Sequence, residues 1–278
     1  MLNMIELPEA ITLAKQINES IIGKQISDII AKHSEHKFTW YFGNPDKFRE
    51  QLINKKIENA KGFGSFVEIS ANNMRILYNE GANLHLINDK DLLPKKHQLL
   101  IEFSDKTFLS ASIQMYGGVG CFIENELDNE YYKIAEEKPS PLSNEFDRLY
   151  FNKLISNNDV QKLSVKAFLA TEQRIPGLGN GVLQDILYNA KIHPKQKVLS
   201  LKEDEKSNLF NSIKNTLKEM VDNNGRDTEK DLFSNKGQYK TKMSKYTVGT
   251  TCNQCGSVIM KKSYLGGSIY FCDGCQSL

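Results

Sequence analysis

Four cysteines near the end of the chain have the spacing of a metal site. Cys252 and Cys255 form one C-x2-C pair, and after sixteen residues Cys272 and Cys275 form a second. Each pair fits a tight turn that directs two thiolates at one point, so two pairs can build the tetrahedral sulfur cage of a structural Zn²⁺. Because thiolates fill all four positions, the ion would have no open site. The sequence therefore predicts one zinc ion that stabilises structure and performs no chemistry.

The segment between the two pairs predicts a β-hairpin. Apolar residues at 259–260 and 269–271 lie on either side of Leu265-Gly266-Gly267. So short a segment cannot bury a core, and the metal would supply its folding energy. Two disulfides are the alternative. They are disfavoured because the chain shows no secretory signal and because Cys121 would be left over.

Bulk composition is that of a soluble globular protein. The 278 residues carry a net charge of +2, with 40% hydrophobic and 25% charged residues. Length predicts about two domains in addition to the cysteine module. No apolar run approaches the ~18 residues that a membrane helix needs. We therefore expect a cytoplasmic monomer that has no membrane partner.

Positive charge is concentrated before and within the predicted hairpin. Between Lys236 and Lys262 there are six lysines and no acidic residue. Such a basic stretch is typical of a nucleic-acid contact surface. An ordinary solvated loop is the alternative interpretation of this stretch.

Periodicity divides the rest of the chain into a β-rich part and a helical part. A helix beginning at Pro8 precedes eight short apolar runs, which predict a β-sandwich with flanking helices. The runs are 26–31, 38–42, 66–69, 75–78, 84–87, 99–103, 107–113 and 119–123. An acidic span from Glu124 to Asp147, containing Pro139 and Pro141, predicts a linker. The expected domains are 1–138, 139–224 and 225–278.

Beyond the linker the pattern is helical. Helices are predicted at 144–155, 160–172, 179–190 and 202–223. Gly177 and Gly179 separate two of them, which indicates a helix-turn-helix-like element.

Three separated motifs resemble one known family. Ile5-Glu6-Leu7-Pro8-Glu9-Ala10 is followed by Gln173-Arg174-Ile175-Pro176-Gly177-Leu178-Gly179-Asn180 with Ile192-His193-Pro194, and the four cysteines end the chain. In this order they resemble the formamidopyrimidine-DNA glycosylase/endonuclease VIII family. The resemblance implies an α+β multidomain fold: an N-terminal β-sandwich, a helix–two-turn–helix domain and a zinc-finger hairpin.

The resemblance also implies DNA repair chemistry. Members of this family flip a damaged base out of the duplex, which costs a few kcal/mol of unstacking. The amine of an N-terminal proline then attacks C1′ of the sugar, and elimination nicks the strand. The neighbouring glutamate assists proton transfer, and Glu6 matches it here. The implied function is a DNA glycosylase and abasic-site lyase that acts on oxidised bases or abasic sites in damaged duplex DNA.

Five residues match or replace DNA-contacting positions of the family: Lys166, Asn180, Tyr116, Arg226 and Lys262. The Asn180 amide matches a phosphate ligand, with a helix cap as the alternative. Lys166 is either a phosphate ligand or part of a solvated helix face. Arg226 lies in the loop that closes over the everted base, and it either binds a phosphate or pairs with Asp227. Tyr116 could wedge between bases as an aromatic.

This sequence differs from the family's pattern at residues that take part in catalysis or contact the DNA. Ile5 stands where the nucleophilic proline belongs, and Phe63 stands where the family has a lysine, with Lys61 two residues earlier. Gly81 and Gln114 replace two of the residues that fill the void left by a flipped base. Gly267 replaces an arginine that clamps a phosphate, and glycine cannot make that bidentate contact.

Three hypotheses follow. The first is an active glycosylase with an altered nucleophile: the amine of an N-terminus processed at Ile5 or Met4, or Lys61, with Glu6 as acid and base. The second is a catalytically silent relative that binds damaged DNA. The third is binding of structured RNA through the basic stretch. Trp40, within an apolar run, is expected in the sandwich core.

Overall fold

The computed structural model describes residues 4–278. Eight α-helices occur within this range: α1 Leu7–Ser20, α2 Phe48–Leu52, α3 Glu130–Glu137, α4 Arg148–Ile155, α5 Asn158–Gln161, α6 Val165–Ala170, α7 Val182–Ala190 and α8 Glu203–Asp222. Eleven strands accompany them: β1 Ile26–Ala31, β2 Thr39–Phe42, β3 Asn59–Phe63, β4 Phe66–Ala71, β5 Met74–Asn79, β6 Ala82–Ile87, β7 Leu99–Phe103, β8 Phe108–Ile113, β9 Gly117–Ile123, β10 Ile259–Tyr264 and β11 Gly267–Cys272. Among the described helices, none has the length and apolar character that a bilayer crossing requires.

The chain forms two compact units, and each is made of two separate stretches. The first runs up to Lys133 and adds Asn223–Gln238, and the second combines Ile134–Asp222 with Tyr239–Leu278. The stretch predicted as a third domain, 225–278, is therefore shared. Its first part folds with the sandwich, whereas the cysteine hairpin folds with the helices.

The first unit is a β-sandwich of two sheets, as predicted. One sheet has the order β1-β7-β8-β6 and the other the order β2-β9-β5-β4-β3. All pairs are antiparallel except β2 with β9. Side chains of both sheets, such as Ile101 and Ile76, share one core with Ile17 of α1. Fully burying a side chain of this size stabilises the fold by roughly 1.5–3 kcal/mol.

Helix α1 begins where its sequence provides a start signal. Glu6 is the N-cap residue, and a capping box joins it to Glu9, which stands at the third helical position. Pro8 fits the first turn because its missing N–H would have no partner there. The apolar face of the helix then packs into the sandwich core.

Strand β3 was not predicted, and its close packing against α1 explains why. A Cβ atom built on Gly62 would lie 2.3 Å from the carbonyl oxygen of Ala10, so only glycine lets the strand approach the helix backbone. A run of five residues that contains asparagine, lysine and glycine shows no alternation of apolar side chains. Packing, and not local sequence preference, therefore forms this strand.

Two helical predictions need correction. The acidic span expected to be only a linker contains α3, whose Tyr132 is buried against Phe66 and Phe122 of the five-stranded sheet. The helix expected at 160–172 is two helices, α5 and α6. Ser164 separates them because its hydroxyl accepts a hydrogen bond from the Ala167 amide and caps α6.

Candidate active site and nucleic-acid interface

The four cysteines of the spacing motif come together in the second unit. The Sγ atoms of Cys252, Cys255, Cys272 and Cys275 all lie within 4.8 Å of one another. Tetrahedral thiolate coordination at about 2.3 Å places sulfur atoms roughly 3.8 Å apart, and two of the observed separations are 3.7 and 3.3 Å. The group can hold one metal ion in a closed site. Cys121 is buried in the sandwich, where burial raises its pKa to about 12.

The cysteine module is attached to helix α7. The Tyr188 hydroxyl lies 3.1 Å from the Sγ atom of Cys252, and the Gln276 side chain donates to the Ile192 carbonyl at 2.9 Å. His193 packs edge-on against Phe271 at 4.6 Å between ring centroids. His193 therefore helps to hold the cysteine module in place.

The glycine turn meets the hairpin tip at Asn180. The Asn180 side-chain amide donates to the Ser268 carbonyl at 3.1 Å, and Gln184 donates to the same oxygen at 3.1 Å. The Gln184 side-chain oxygen also accepts from the Tyr270 amide at 3.0 Å. Two polar side chains at the start of α7 thus fix strand β11. The start of α7 and the hairpin tip form a single surface.

Lys166 and Lys262, both predicted to contact DNA, have different environments. Lys166 is 5% exposed, and its Nζ donates to the Tyr264 carbonyl at 2.6 Å. Burial lowers its pKa. Lys166 therefore holds the end of β10, and its contact with a phosphate stays a prediction. Lys262 is exposed on the same strand, with its Nζ 5.2 Å from the centre of the Phe271 ring. Its charge remains available to a ligand.

A buried charge cluster lies at the start of α1 in the first unit. The Arg226 guanidinium bonds both carboxylate oxygens of Glu9, at 2.9 and 2.7 Å. It also lies 3.4 Å from Glu6 and 4.0 Å from Glu229. Arg226 is only 2% exposed. The two interpretations offered for Arg226, a phosphate ligand or a partner of Asp227, both omitted these three acids.

The cluster changes proton affinities. Burial opposes the charge on Arg226, but the charges of Glu6 and Glu9 outweigh it and hold the guanidinium pKa well above its usual value. Burial raises the pKa of Glu229 to about 7, against the opposing effect of Arg226. One cation faces three carboxyl groups and cannot neutralise all of them, and Glu229 is the carboxyl group whose pKa lies near neutrality.

Ile5 and Met4 lie beside this cluster. Ile5 is 2% exposed, and its backbone N–H donates to the Glu80 carbonyl at 2.6 Å. The Met4 N–H donates to a carboxylate oxygen of Glu229 at 2.8 Å. Because the Ile5 nitrogen belongs to a peptide bond, its lone pair is delocalised and is not nucleophilic.

Lys61 is directed away from helix α1. Gly62 faces the backbone of α1, and successive side chains of a strand point to opposite faces. The Lys61 ammonium accordingly lies 3.2 Å from the buried Glu68 carboxylate. Phe63, at the position of the family lysine, packs on Tyr132 of the same face at 5.6 Å between ring centroids. The prediction that Lys61 replaces the amine nucleophile finds no support in this geometry.

Tyr116 and Trp40 stack on one another at the end of β2. Their ring centroids are 6.4 Å apart and their planes are inclined by 18°. Trp40 is 40% exposed, so the prediction that it lies in the sandwich core is wrong. Strand β2 is an edge strand, which leaves apolar side chains accessible. A side chain at Gly81 is excluded because its Cβ would lie 2.1 Å from the Tyr116 carbonyl oxygen.

The sequence of this chain is similar to those of known DNA glycosylases. A family model described as the formamidopyrimidine-DNA glycosylase H2TH domain matches residues 138–231. Formamidopyrimidine-DNA glycosylase from Lactobacillus johnsonii is 28% identical over 287 aligned positions, which cover 99% of each chain. The chain is similar over its whole length to formamidopyrimidine-DNA glycosylases, and residues 138–231 match the H2TH domain of that family. The family's protein from Bacillus cereus is 26% identical over 98% of this chain and 99% of its own.

Solved structures of the family share the fold. Lactococcus lactis Fpg, in a complex with DNA containing an abasic site, has a TM-score of 0.84 and 22% identity, covering 98% of this chain and 100% of that chain. MutM in complex with DNA containing carbocyclic 8-oxo-G has a TM-score of 0.83 and 23% identity over the same shares. The family's architecture is therefore retained at low identity.

Sequence reasoning missed two carboxylates of the cluster, Glu9 and Glu229. Each had a local signal: Glu9 follows Glu6 by three residues, the spacing of a capping box, and Glu229 follows Arg226 by three. Nothing local pairs residue 226 with residue 9, because 217 positions separate them.

Proposed function

We propose that this protein is a base-excision-repair DNA glycosylase that acts on oxidised bases and abasic sites. The observation that carries the proposal is the bond from Asn180 to Ser268, since it joins the glycine turn and the hairpin tip in one surface. The positive end of the α7 dipole attracts a phosphate to that surface. The printed names of its relatives support the same class of substrate.

Damaged duplex DNA is the proposed partner, with Asn180 and Lys262 as contacts to its backbone. Exposed lysines on β10 contribute attraction that falls steeply with salt. We expect the protein to act as a monomer in the cytoplasm.

Zinc is the proposed ion for the cysteine site. Four thiolates at tetrahedral separations match its preferred ligands and leave no open position. The ion would fix the hairpin whose tip contacts Asn180, and it would take no part in the reaction.

Glu6 is the proposed acid and base. Glu6 is buried, and its carboxylate lies 3.4 Å from the Arg226 guanidinium. Glu9 binds Arg226 with both carboxylate oxygens, and the Glu6 side chain also accepts the Glu9 backbone N–H in the capping box. Arg226 and Glu9 are thus proposed to position Glu6 and to stay out of contact with substrate.

An α-amine released by processing at Met4 or Ile5 is the proposed nucleophile. Its nitrogen would form a bond to C1′ of the sugar while the damaged base leaves, or water in the case of an abasic site. The ring oxygen O4′ then takes a proton and the C1′–O4′ bond breaks, so that the nitrogen lone pair forms the C1′=N bond of an imine as a nitrogen-bound proton is lost. Removal of a C2′ proton then expels the 3′ phosphate. The Met4 nitrogen lies 2.8 Å from Glu229, a carboxyl that could accept the amine's proton.

Borohydride trapping on abasic-site DNA tests the enzymatic proposal. Three forms of the protein would be compared: the full chain, a chain that begins at Met4, and one that begins at Ile5. Hydride reduction of the imine leaves a stable covalent complex, and we expect it only where a free amine is present at residue 4 or 5. A chain acetylated at that amine is the matched control. Intact-mass spectrometry of protein from its native cell would show which terminus exists. Absence of a covalent complex and of base release from all three forms would contradict catalysis.

A silent damage-binding protein is the second candidate. The buried peptide nitrogen of Ile5 favours it, because the chain with residues 1–4 in place has no amine at the family's nucleophile position. Fluorescence anisotropy with abasic, mismatched and intact duplexes tests binding separately from chemistry. Equal affinity for the three duplexes would argue against recognition of damage.

A further inference from the structure

Two aromatic side chains of the first unit expose their rings side by side. Trp40 on β2 is 40% exposed and Tyr116, just before β9, is 39% exposed. Phe38 and Met115 beside them are 56% and 40% exposed. Rings of this size are usually buried or placed in a contact with a partner. We call Trp40 and Tyr116 the aromatic platform.

The backbone around the platform is shaped to hold both rings. A Cβ atom on Gly118, which pairs with Trp40 across β2 and β9, would lie 2.3 Å from the indole nitrogen. Gly81 leaves room in the same way for the backbone of Tyr116. The Asn79 side chain accepts a hydrogen bond from the Gly118 amide at 2.6 Å and fixes this part of β9. The rings are therefore preorganised, and binding would not have to order them first.

The platform borders the proposed catalytic residue. Burial raises the pKa of the Tyr116 phenol, and the charges of Glu80 and Glu6 raise it further. Geometry links the two places: the Tyr116 carbonyl packs against Gly81, and the carbonyl of the preceding Glu80 accepts the N–H of Ile5, the residue before Glu6. The neighbouring carboxylates repel a phosphate and tolerate an uncharged ring system. A cation stands at the outer rim, where the Lys37 ammonium lies 5.4 Å from the centre of the Phe38 ring.

We propose that Trp40 and Tyr116 together bind an unpaired nucleobase by stacking, next to the site where Glu6 acts. The proposal rests on the proposed function, since it assumes that the substrate is DNA containing a base without a partner. Every nucleobase offers a π-face to an aromatic ring, so the platform would hold the base without reading its identity. A paired base inside a duplex stays stacked on its neighbours and would not bind there.

Trp40 allows a direct test because it is the only tryptophan in the chain. The unmodified protein would be titrated with a duplex in which 2-aminopurine lies opposite a tetrahydrofuran abasic analogue. A fully paired duplex containing 2-aminopurine is the matched ligand. We expect quenching of both Trp40 and 2-aminopurine fluorescence with the first duplex only. Anisotropy of a dye at the far end of each duplex would report binding independently.

Variants refine the test. Trp40→Ala should weaken binding of the duplex with the unpaired base about tenfold, the loss expected for one base–aromatic stack, and change binding of the paired duplex less than twofold. Trp40→Phe should keep most of the affinity because it keeps a ring. Tyr131→Ala, at an aromatic residue that is 58% exposed on α3, is the control and should have no effect.

The outcomes separate the two proposals. Binding seen by anisotropy without any change in Trp40 fluorescence would overturn the platform and leave the proposed function intact. Quenching of equal size with both duplexes would also overturn it. Failure of anisotropy to detect binding of either duplex at low salt would overturn both proposals.

Discussion

The surface at the hairpin and the cluster at the start of α1 have diverged from the family to different degrees. The hairpin surface contains the glycine turn, the asparagine and the four cysteines, and the Asn180 and Gln184 side chains bond to the backbone of β11 at 3.1 Å or less. The cluster contains Glu6, but isoleucine stands where the resemblance places the nucleophilic proline, and Arg226 lies among three acids.

The difference shows that DNA binding depends on many groups spread over a surface, whereas catalysis depends on the exact position of a few atoms. A binding surface needs complementary groups over a wide area and tolerates the loss of one of them, such as the arginine replaced by Gly267. A nucleophile depends on one nitrogen with a free lone pair. The hairpin surface therefore supports a prediction of DNA binding directly, whereas catalysis depends on the state of the chain terminus.

Removal of the metal should have the largest effect. Chelation, or Cys272→Ser, removes the energy that folds the hairpin, and DNA affinity should fall at least 100-fold while the sandwich stays folded. Metal content by mass spectrometry, anisotropy with duplex DNA and circular dichroism measure the three quantities. Cys121→Ser is the matched control and should leave metal content unchanged. If the metal-free protein bound DNA with unaltered affinity, the hairpin surface would not be the part of the molecule on which DNA binding depends.

Replacement of Arg226 should have the next largest effect, on stability. Arg226→Met leaves buried carboxylates without a cation and should lower the free energy of unfolding by about 3–5 kcal/mol in urea denaturation. Arg49→Met is the control. Arg49 pairs with Asp28 at the same 2.7 Å, but on the surface, and its loss should cost under about 1 kcal/mol. Similar losses in the two variants would show that the cluster contributes no more than a surface pair.

Glu229 should make stability depend on pH. Its pKa of about 7 in the folded protein exceeds the value of about 4.3 in an unfolded chain, so protonation favours the folded state. This contribution is complete below pH 4.3 and is lost as pH rises to about 7. Glu229→Gln should match the wild type near pH 4 and exceed it above pH 7 by up to about 3 kcal/mol. The measurement is the difference between the two proteins in thermal unfolding from pH 4 to 8, and a constant difference would contradict the assignment.

Restoration of the family arginine should have the smallest effect. A Cβ on Gly267 would lie 3.4 Å from Asn180, an ordinary contact, so Gly267→Arg fits without strain. One added phosphate contact should raise DNA affinity about tenfold and steepen the log–log salt dependence by about one. Gly267→Gln provides similar bulk without charge and should do neither. Equal affinities of the Arg and Gln variants would show that the hairpin tip does not face a phosphate.

The sequence predicted those helices and strands whose apolar residues follow a recognisable local pattern. Strands β1 and β7 were predicted to the residue because isoleucine, leucine and phenylalanine, which favour strands, are common in them. Strand β3 and helix α3 were missed because their formation depends on contacts with α1 and the sheet, which no short window contains. Trp40 was assigned to the core because an edge strand and a central strand look alike in sequence.

The metal ligands could be predicted from the sequence, whereas the charge cluster could not, because its residues are far apart in the chain. The cysteines lie within 24 residues of one another, so their spacing alone specifies the geometry. The partners of Arg226 lie at positions 6 and 9, and only the folded chain brings them together. Long-range electrostatic pairs leave no periodic trace in a sequence.

The bond between Glu9 and Arg226 also has a consequence for synthesis of the protein. The ribosome makes residues 1–133 early, yet their unit is completed by 223–238, which appear only after most of the helical unit. Until then the carboxylates of α1 have no guanidinium to neutralise them, and they stay solvated. The sandwich is thus the first part of the molecule to be translated, but it cannot be completed until 223–238 emerge, shortly before the cysteine hairpin completes the helical unit.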